Sequence, residues 1–306
     1  MVPVTRLAIL LPLVFALVSF VLTSIALFSG YHQGTLEDYD VVRLNTSGIG
    51  HDLFDGKKDS AKKDGDGKDG EKKDGILGDI QQWWDDTKDG ARDKLNDITG
   101  DAADKLLDKL GISQWYSLHI MDTCQGEFTP TFNVTNCTSS TPSNRFNLTA
   151  VLDHQVSVGP VKINLATLEW PQSLQDKIDL LNGALLGLFV VYVVAMGFCG
   201  LSMLASLATF FLPAKRGIVF GNLALASFAA LACLIGSIIT TIVGSKGVSE
   251  INERGERFGV KAARGSKFYI ISWIATGLML GAALFWFGQL LTGRKRTGVK
   301  SDKASA

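Results

Sequence analysis

Two cysteines, four asparagine sequons and four histidines are the residues of this chain that could do chemistry, and all ten fall between positions 32 and 154. Cys124 and Cys137 would close a loop of about 14 residues, a bridge worth about 3 kcal/mol through loop-closure entropy. A small outer domain with a limited core has reason to use one. The sequons at Asn45, Asn133, Asn136 and Asn147 accept sugar only in a secretory compartment, where disulfides also form. Asn136 directly precedes Cys137, and crowding argues against full glycosylation of both Asn133 and Asn136. His32, His51, His119 and His154 stand at unrelated spacings, which disfavours a metal site. They could titrate with external pH, since histidine ionises near ~6.5. The plainer reading is that this segment is most of the non-membrane chain, so most histidines must fall within it.

The elements that carry these residues are bounded by four long apolar runs: 7–28, 181–212, 217–243 and 268–291. Each exceeds the ~20 residues a helix needs to cross ~30 Å of hydrocarbon. None contains Asp, Glu, Lys, Arg or His. The first run, at about 22 residues, is longer than the ~7–15 of a signal-peptide core. It is therefore expected to be an uncleaved anchor, with cleavage near Ser24 and Ala26 as the alternative. Basic residues at Arg6, Lys215–Arg216 and Arg294-Lys295-Arg296 assign the N-terminus 1–6, the turn 213–216 and the tail 292–306 to the cytoplasm. Residues 29–180 and 244–267 are then extracellular. The second of these loops runs against the charge rule, with six Lys or Arg against three Glu, and four sequons on one side outweigh it.

The large outer loop divides into parts. Residues 31–45 contain a β-branched, partly alternating run fit for a strand. Residues 55–75 hold seven acidic and seven basic side chains and read as a disordered, charge-balanced spacer. Asp64-x-Asp66 suggests a calcium loop, but Asp69 and Gly75 stand where that loop needs Gly and Glu. Residues 76–110 have the period of an amphipathic helix with an acidic outer face, expected to pack on its own ectodomain rather than on lipid. Residues 114–171 form the bridged domain, with alternating runs at 116–120 and 146–148.

The chain has 306 residues and zero formal net charge, and it lacks a phosphate loop, a His-Glu-x-x-His pair and a Cys-x-x-Cys pair. No enzyme activity and no cofactor are expected. Ion and proton paths use ionisable groups inside the membrane, and the spans have none, so a pump is disfavoured. Gly183-x-x-x-Gly187, Gly217-x-x-x-Gly221 and Gly277-x-x-x-Gly281 permit close helix approach within a bundle or between protomers. Cys199 and Cys233, deep in spans two and three, are expected to be core thiols.

QWYSLHIMDTCQGEF followed by VTNCTSSTPSNRFNL resembles the first-loop signature of the fungal Sur-seven/PalI family of claudin-like four-span proteins. The matching residues are Tyr116, His119, Cys124, Gly126, Cys137 and Phe146, with Trp170-Pro171 before span two. Asn252, Gly255, Phe258-Gly259-Val260, Ala262, Gly265, Phe268 and Trp273 resemble the family's second block. The claudin Gly-Leu-Trp is absent, with Leu118-His119-Ile120 in its place, which weakens any inference of a barrier or pore. The resemblance implies a mainly α integral membrane protein: a claudin-like four-helix bundle with a small disulfide-closed, β-containing extracellular domain. It also implies a non-enzymatic organiser of a plasma-membrane domain (the eisosome or cortical patch) that affects endocytosis, wall integrity and stress response. A PalI-like part in ambient-pH signalling and a claudin-like channel or calcium-influx regulator are the alternatives. The partners implied are membrane lipids, cortical-patch proteins and cell-wall material, with a homo-oligomer open and no nucleic acid.

Overall fold

In hydrocarbon the backbone must satisfy its own hydrogen bonds, and a helix does so locally. The computed structural model describes residues 6–47, 113–128, 133–142, 156–158, 161–163, 172–212, 215–255 and 259–302. The spacer 55–75, the amphipathic segment 76–110, Phe146, Asn147, Trp170 and Phe258 lie outside them. Among the described residues each apolar run is a helix: α1 (Arg6–Phe28), α2 (Gln172–Phe211), α3 (Arg216–Ile242) and, after a short α4 (Val248–Gly255), α5 (Ser266–Asp302). Four helices are long and apolar enough to cross a membrane. They close a ring in which α1 and α3 each pack against both α2 and α5.

The ring is held by small side chains and short hydroxyl bonds. Ala16, Ala195, Cys199, Ala226, Ala230, Cys233, Ala275 and Met279 fill its buried centre. The Tyr192 hydroxyl meets Ser272 Oγ at 2.6 Å, and Ser272 meets Ser237 Oγ at 2.7 Å. Asn222 Nδ2 donates to Thr209 Oγ1 at 2.9 Å, tying α3 to α2. Of the three Gly-x-x-x-Gly pairs, only Gly281 packs inside the ring, against Phe15; Gly183, Gly187, Gly217, Gly221 and Gly277 face open space. Beside them the outer surface is apolar, with Leu201, Phe220, Phe228, Leu284 and Phe287 exposed. Such a surface needs lipid as its solvent.

Helices α2 and α5 extend past the apolar runs that predict them. Residues 244–267, which the sequence presents as a connecting loop, carry regular structure. A π-turn at Val243–Gly247 leads into α4, which carries the line of α3 outward. The chain then returns as a strand. β1 (Val42–Asn45), β2 (Trp115–Leu118), β3 (Thr123–Glu127), β4 (Asn133–Cys137) and β7 (Lys261–Arg264) form one antiparallel sheet in the order β4-β3-β2-β1-β7. β5 (Val156–Val158) and β6 (Val161–Ile163) pair separately as a hairpin. The alternation at 116–120 emerges as β2, and the 31–45 run supplies β1. The loop between the first two spans and the loop between the last two thus contribute to one sheet at one end of the bundle.

Side-chain alternation gives this sheet two different faces. Val42, Leu44, Tyr116, Leu118 and Ala262 share a core with Leu27, Ile178, Leu181, Leu188, Phe268 and Ile271 of the helices. Each large side chain so buried contributes roughly 1.5–3 kcal/mol. On the opposite face Trp115, Cys124 and Val134 form a small cluster.

Candidate functional site at the junction of sheet and bundle

The junction begins where α1 stops. Ser29 and Gly30 lead the chain into a loop that passes directly over the β2–β3 hairpin. Gly30 has φ +80, and a side chain there would collide with Asp122 Oδ1 and the His119 ring. Only glycine permits both that turn and that approach.

His119 is the buried centre of the junction, 1% exposed. Its Nε2 lies 3.3 Å from Ser117 Oγ and its Nδ1 lies 3.3 Å from Ser29 Oγ. Ser29 Oγ itself donates to the Tyr39 carbonyl at 3.1 Å, so it accepts from Nδ1–H, and Ser117 donates to Nε2. A neutral imidazole is satisfied on both nitrogens. Burial lowers the His119 pKa to about 4, against the raising effect of the Tyr39 carbonyl; Arg43 lowers it further. Asp122, three residues on and 2% exposed, accepts from Ser140 Oγ at 2.6 Å through Oδ2. Its Oδ1 is buried without a hydrogen-bond partner. Burial raises the Asp122 pKa to about 6, with the Ser140 bond pulling the other way.

Cys124 and Cys137 are bonded and stand directly opposite each other on β3 and β4. The ligand atoms of His119, Asp122 and Cys124 lie within 4.8 Å of one another. With Cys124 Sγ committed to the bridge, that trio offers a metal two ligands, fewer than the three or four of a zinc site. Glu37, close to the same two sulfurs, adds only one.

A second set of residues fastens β7 in place. The Asn252 side chain on α4 accepts from the Ala262 N–H and donates to the Ala262 carbonyl at 3.0 Å, so an amide stands in for the next strand. Gly255 accepts from the Val260 N–H at 3.0 Å, and Gly259 takes φ +73 in the turn between them. Gly265 lies against the Asp40 backbone, where a side chain would overlap the Asp40 carbonyl. Lys267 binds Asp38 at 2.6 Å and holds its carboxyl below the usual range, while Arg43 binds the buried Asp40 at 2.7 Å. Burial still raises the Asp40 pKa, outweighing Arg43. Lys177 of α2 and Arg254 both reach Glu250. At the other edge of the sheet, Gln33 donates to the Val134 carbonyl of β4. Replacing Asn252 with Ala is expected to cost about 2 kcal/mol, two hydrogen bonds at ~1 kcal/mol each, and to speed amide exchange across Lys261–Arg264. Asn252→Asp keeps only the acceptor and should fall between the two; unchanged exchange in both variants would refute the strand-like role of this side chain.

The residues singled out by resemblance thus serve assembly. Tyr116 is buried against the bundle, its hydroxyl accepting from the Ser113 N–H at 3.1 Å. Gly126 leaves room for the Trp115 ring and the Asn133 carbonyl. Phe268 is buried against the Tyr192 ring, with centroids 5.7 Å apart. Trp273 Nε1 donates to Thr241 at 3.2 Å near the outer end of the bundle. Of the sequons, Asn133 and Asn136 are exposed on β4, and Asn45 is half-buried with its carbonyl turned back to Ser47. Sequence reasoning passed over Ser29, Gly30, Asp40 and Asp122. The one available signal was Asp122 between His119 and Cys124, since an acid beside a bridge cysteine invites a count of its donors.

A four-helix membrane bundle crowned by an antiparallel sheet, with strands from the first and third interhelical segments and one cross-strand disulfide, defines the claudin-like class of multi-pass proteins. The SUR7/PalI family profile matches residues 8–285. The chain belongs to the SUR7/PalI family. It is also similar to the SUR7 family protein pun1 of Schizosaccharomyces pombe (strain 972), at 24% identity over 201 residues, covering 64% of this chain and 67% of that protein. No solved structure gives a significant match.

Proposed function

We propose that this protein is a non-enzymatic organiser of a fungal plasma-membrane domain, the eisosome or cortical patch, through which endocytosis, wall integrity and stress response are affected. The observation that carries the reading is the use made of the family's motif residues: they clamp an outer sheet rigidly onto a closed bundle. A rigid outer platform over a packed bundle suits lateral organisation of lipids and neighbouring proteins. Cortical-patch proteins, membrane lipids and wall material are its partners, and a second copy of the chain is a further one. Both termini are cytoplasmic, and the exposed Asn133 and Asn136 are the accessible sequons of β4, with crowding beside Cys137 limiting full occupancy of both. The basic second loop tolerates the outer side because Lys267, Arg254 and Arg264 already have partners in Asp38, Glu250 and the Tyr269 ring.

A fluorescent tag on the C-terminus, imaged beside a cortical-patch marker, tests this. Immobile patches coincident with the marker are expected; diffuse internal-membrane label would overturn the reading. The channel alternative has little support from a bundle centre filled by Ala, Cys and Met. For the pH-signalling alternative, His119 offers no titration between neutral and alkaline pH, because burial keeps it neutral there.

A further inference from the structure

His119 and Asp122 are two ionisable groups buried in one junction, 1% and 2% exposed. The carboxylate has fewer donors than its charged form needs, and the imidazolium would be cut off from water. The imidazole is bracketed by two hydroxyls, one of which has already given its proton to a carbonyl. The carboxyl has a single donor and one buried, unpartnered oxygen beside Gly30. The ligand atoms of the two side chains lie within 4.8 Å of each other. Removing two charges from water still costs more than their mutual attraction returns unless both are fully hydrogen-bonded, and groups in that position neutralise instead.

In the unfolded chain at mildly acid pH the reverse holds. There histidine is protonated and aspartate ionised, by their ordinary values of ~6.5 and ~3.9. We infer that His119 and Asp122 act as one titrating unit: folding moves a proton from the imidazole to the carboxyl, and the pair's contribution to stability stays level across the acid range. The exchange balances, imidazolium plus carboxylate giving imidazole plus carboxylic acid, with no proton gained or lost.

The sign of each half follows from linkage. Asp122 alone, raised to about 6 in the folded protein, favours folding at low pH and loses that contribution as pH climbs from its unfolded value to about 6. His119 alone, lowered to about 4, favours folding above its unfolded value and loses that contribution as pH falls to about 4. Between about 4 and 6 the two slopes are equal and opposite. The other charged groups around the pair, among the described residues, are Glu37 beside the disulfide, Arg43 with its partner Asp40, and the exposed Asp38–Lys267 pair. Arg43 disfavours imidazolium, and its charge is offset by Asp40 at 2.7 Å.

The test uses the full chain in detergent or nanodiscs, with unfolding followed at several pH values. Each variant is read as its difference from wild type between about pH 4 and 6, which cancels the shared contributions of Asp38, Asp40 and Glu250. His119→Gln should become less stable as pH rises through that window, by about tenfold in the folding equilibrium per pH unit, and Asp122→Asn should become more stable with the same slope. Infrared spectra of wild type at pH 5 should contain a carboxylic-acid carbonyl band that is lost above pH 6 and missing from Asp122→Asn. The wild-type band reads the carboxyl's protonation directly, even where a variant fails to fold. Variant profiles parallel to the wild type's, or no acid band at pH 5, would each overturn the pairing.

Discussion

Gly265→Ala is expected to detach the second outer loop from the sheet. The added methyl would overlap the Asp40 carbonyl, and a backbone carbonyl two residues before β1, with Val41 held by Leu118 and Gly265, cannot rotate aside as a side chain can. Overpacking typically costs ~1–3 kcal/mol, occasionally more, and a clash with backbone belongs at the upper end. The loss should extend beyond one contact, because Gly265 N–H also donates to the Val41 carbonyl at 3.1 Å and begins the run into α5. The apparent unfolding temperature should fall by several degrees, with new protease cleavage between Lys261 and Lys267. Gly277→Ala is the control, since a methyl there meets nothing within 4 Å. Equal behaviour of the two variants would show that the approach to Asp40 carries no weight.

Replacing Cys124 and Cys137 together with Ala should destabilise the outer domain by about 2–5 kcal/mol, the range for native disulfides in small secreted domains. Cys124 is fully buried beneath Trp115, and its partner sits on edge strand β4. Loss of the bridge therefore frees that edge while leaving β1, β2 and β7 on the bundle. Reductant should lower the wild-type unfolding midpoint to that of the double variant and leave the variant unmoved. A midpoint indifferent to reductant would show that the strand pairing suffices without the bond.

How far the sequence led depends on what each element rests on. The spans were legible because their signal is cumulative: some twenty residues without a charge admit few structures. The Cys124–Cys137 pairing was legible from spacing and compartment together. β7 was not, since Lys-Ala-Ala-Arg at 261–264 has neither alternation nor β-branching. It is a strand because Asn252 on one side and β1 on the other satisfy its backbone. The extension of α3 through the π-turn was hidden for the same reason: Gly244 and Gly247 read as breakers, yet Gly244 admits the Arg264 side chain against the helix. His119 was legible as a motif residue, but its neutral state was not, because that depends on burial in the assembled junction, among residues as distant in the chain as Ser29.

The strand order has a consequence for biosynthesis. β1 leaves the ribosome early, yet one of its two neighbours lies at Lys261–Arg264, after the third span. Until that stretch is made and delivered to the same side, Val42–Asn45 presents an unpaired edge. Misinsertion of either of the last two spans would leave that edge open, the kind of surface that quality-control chaperones retain. The sheet thus closes only in a chain that has brought both loops to the same side of the membrane.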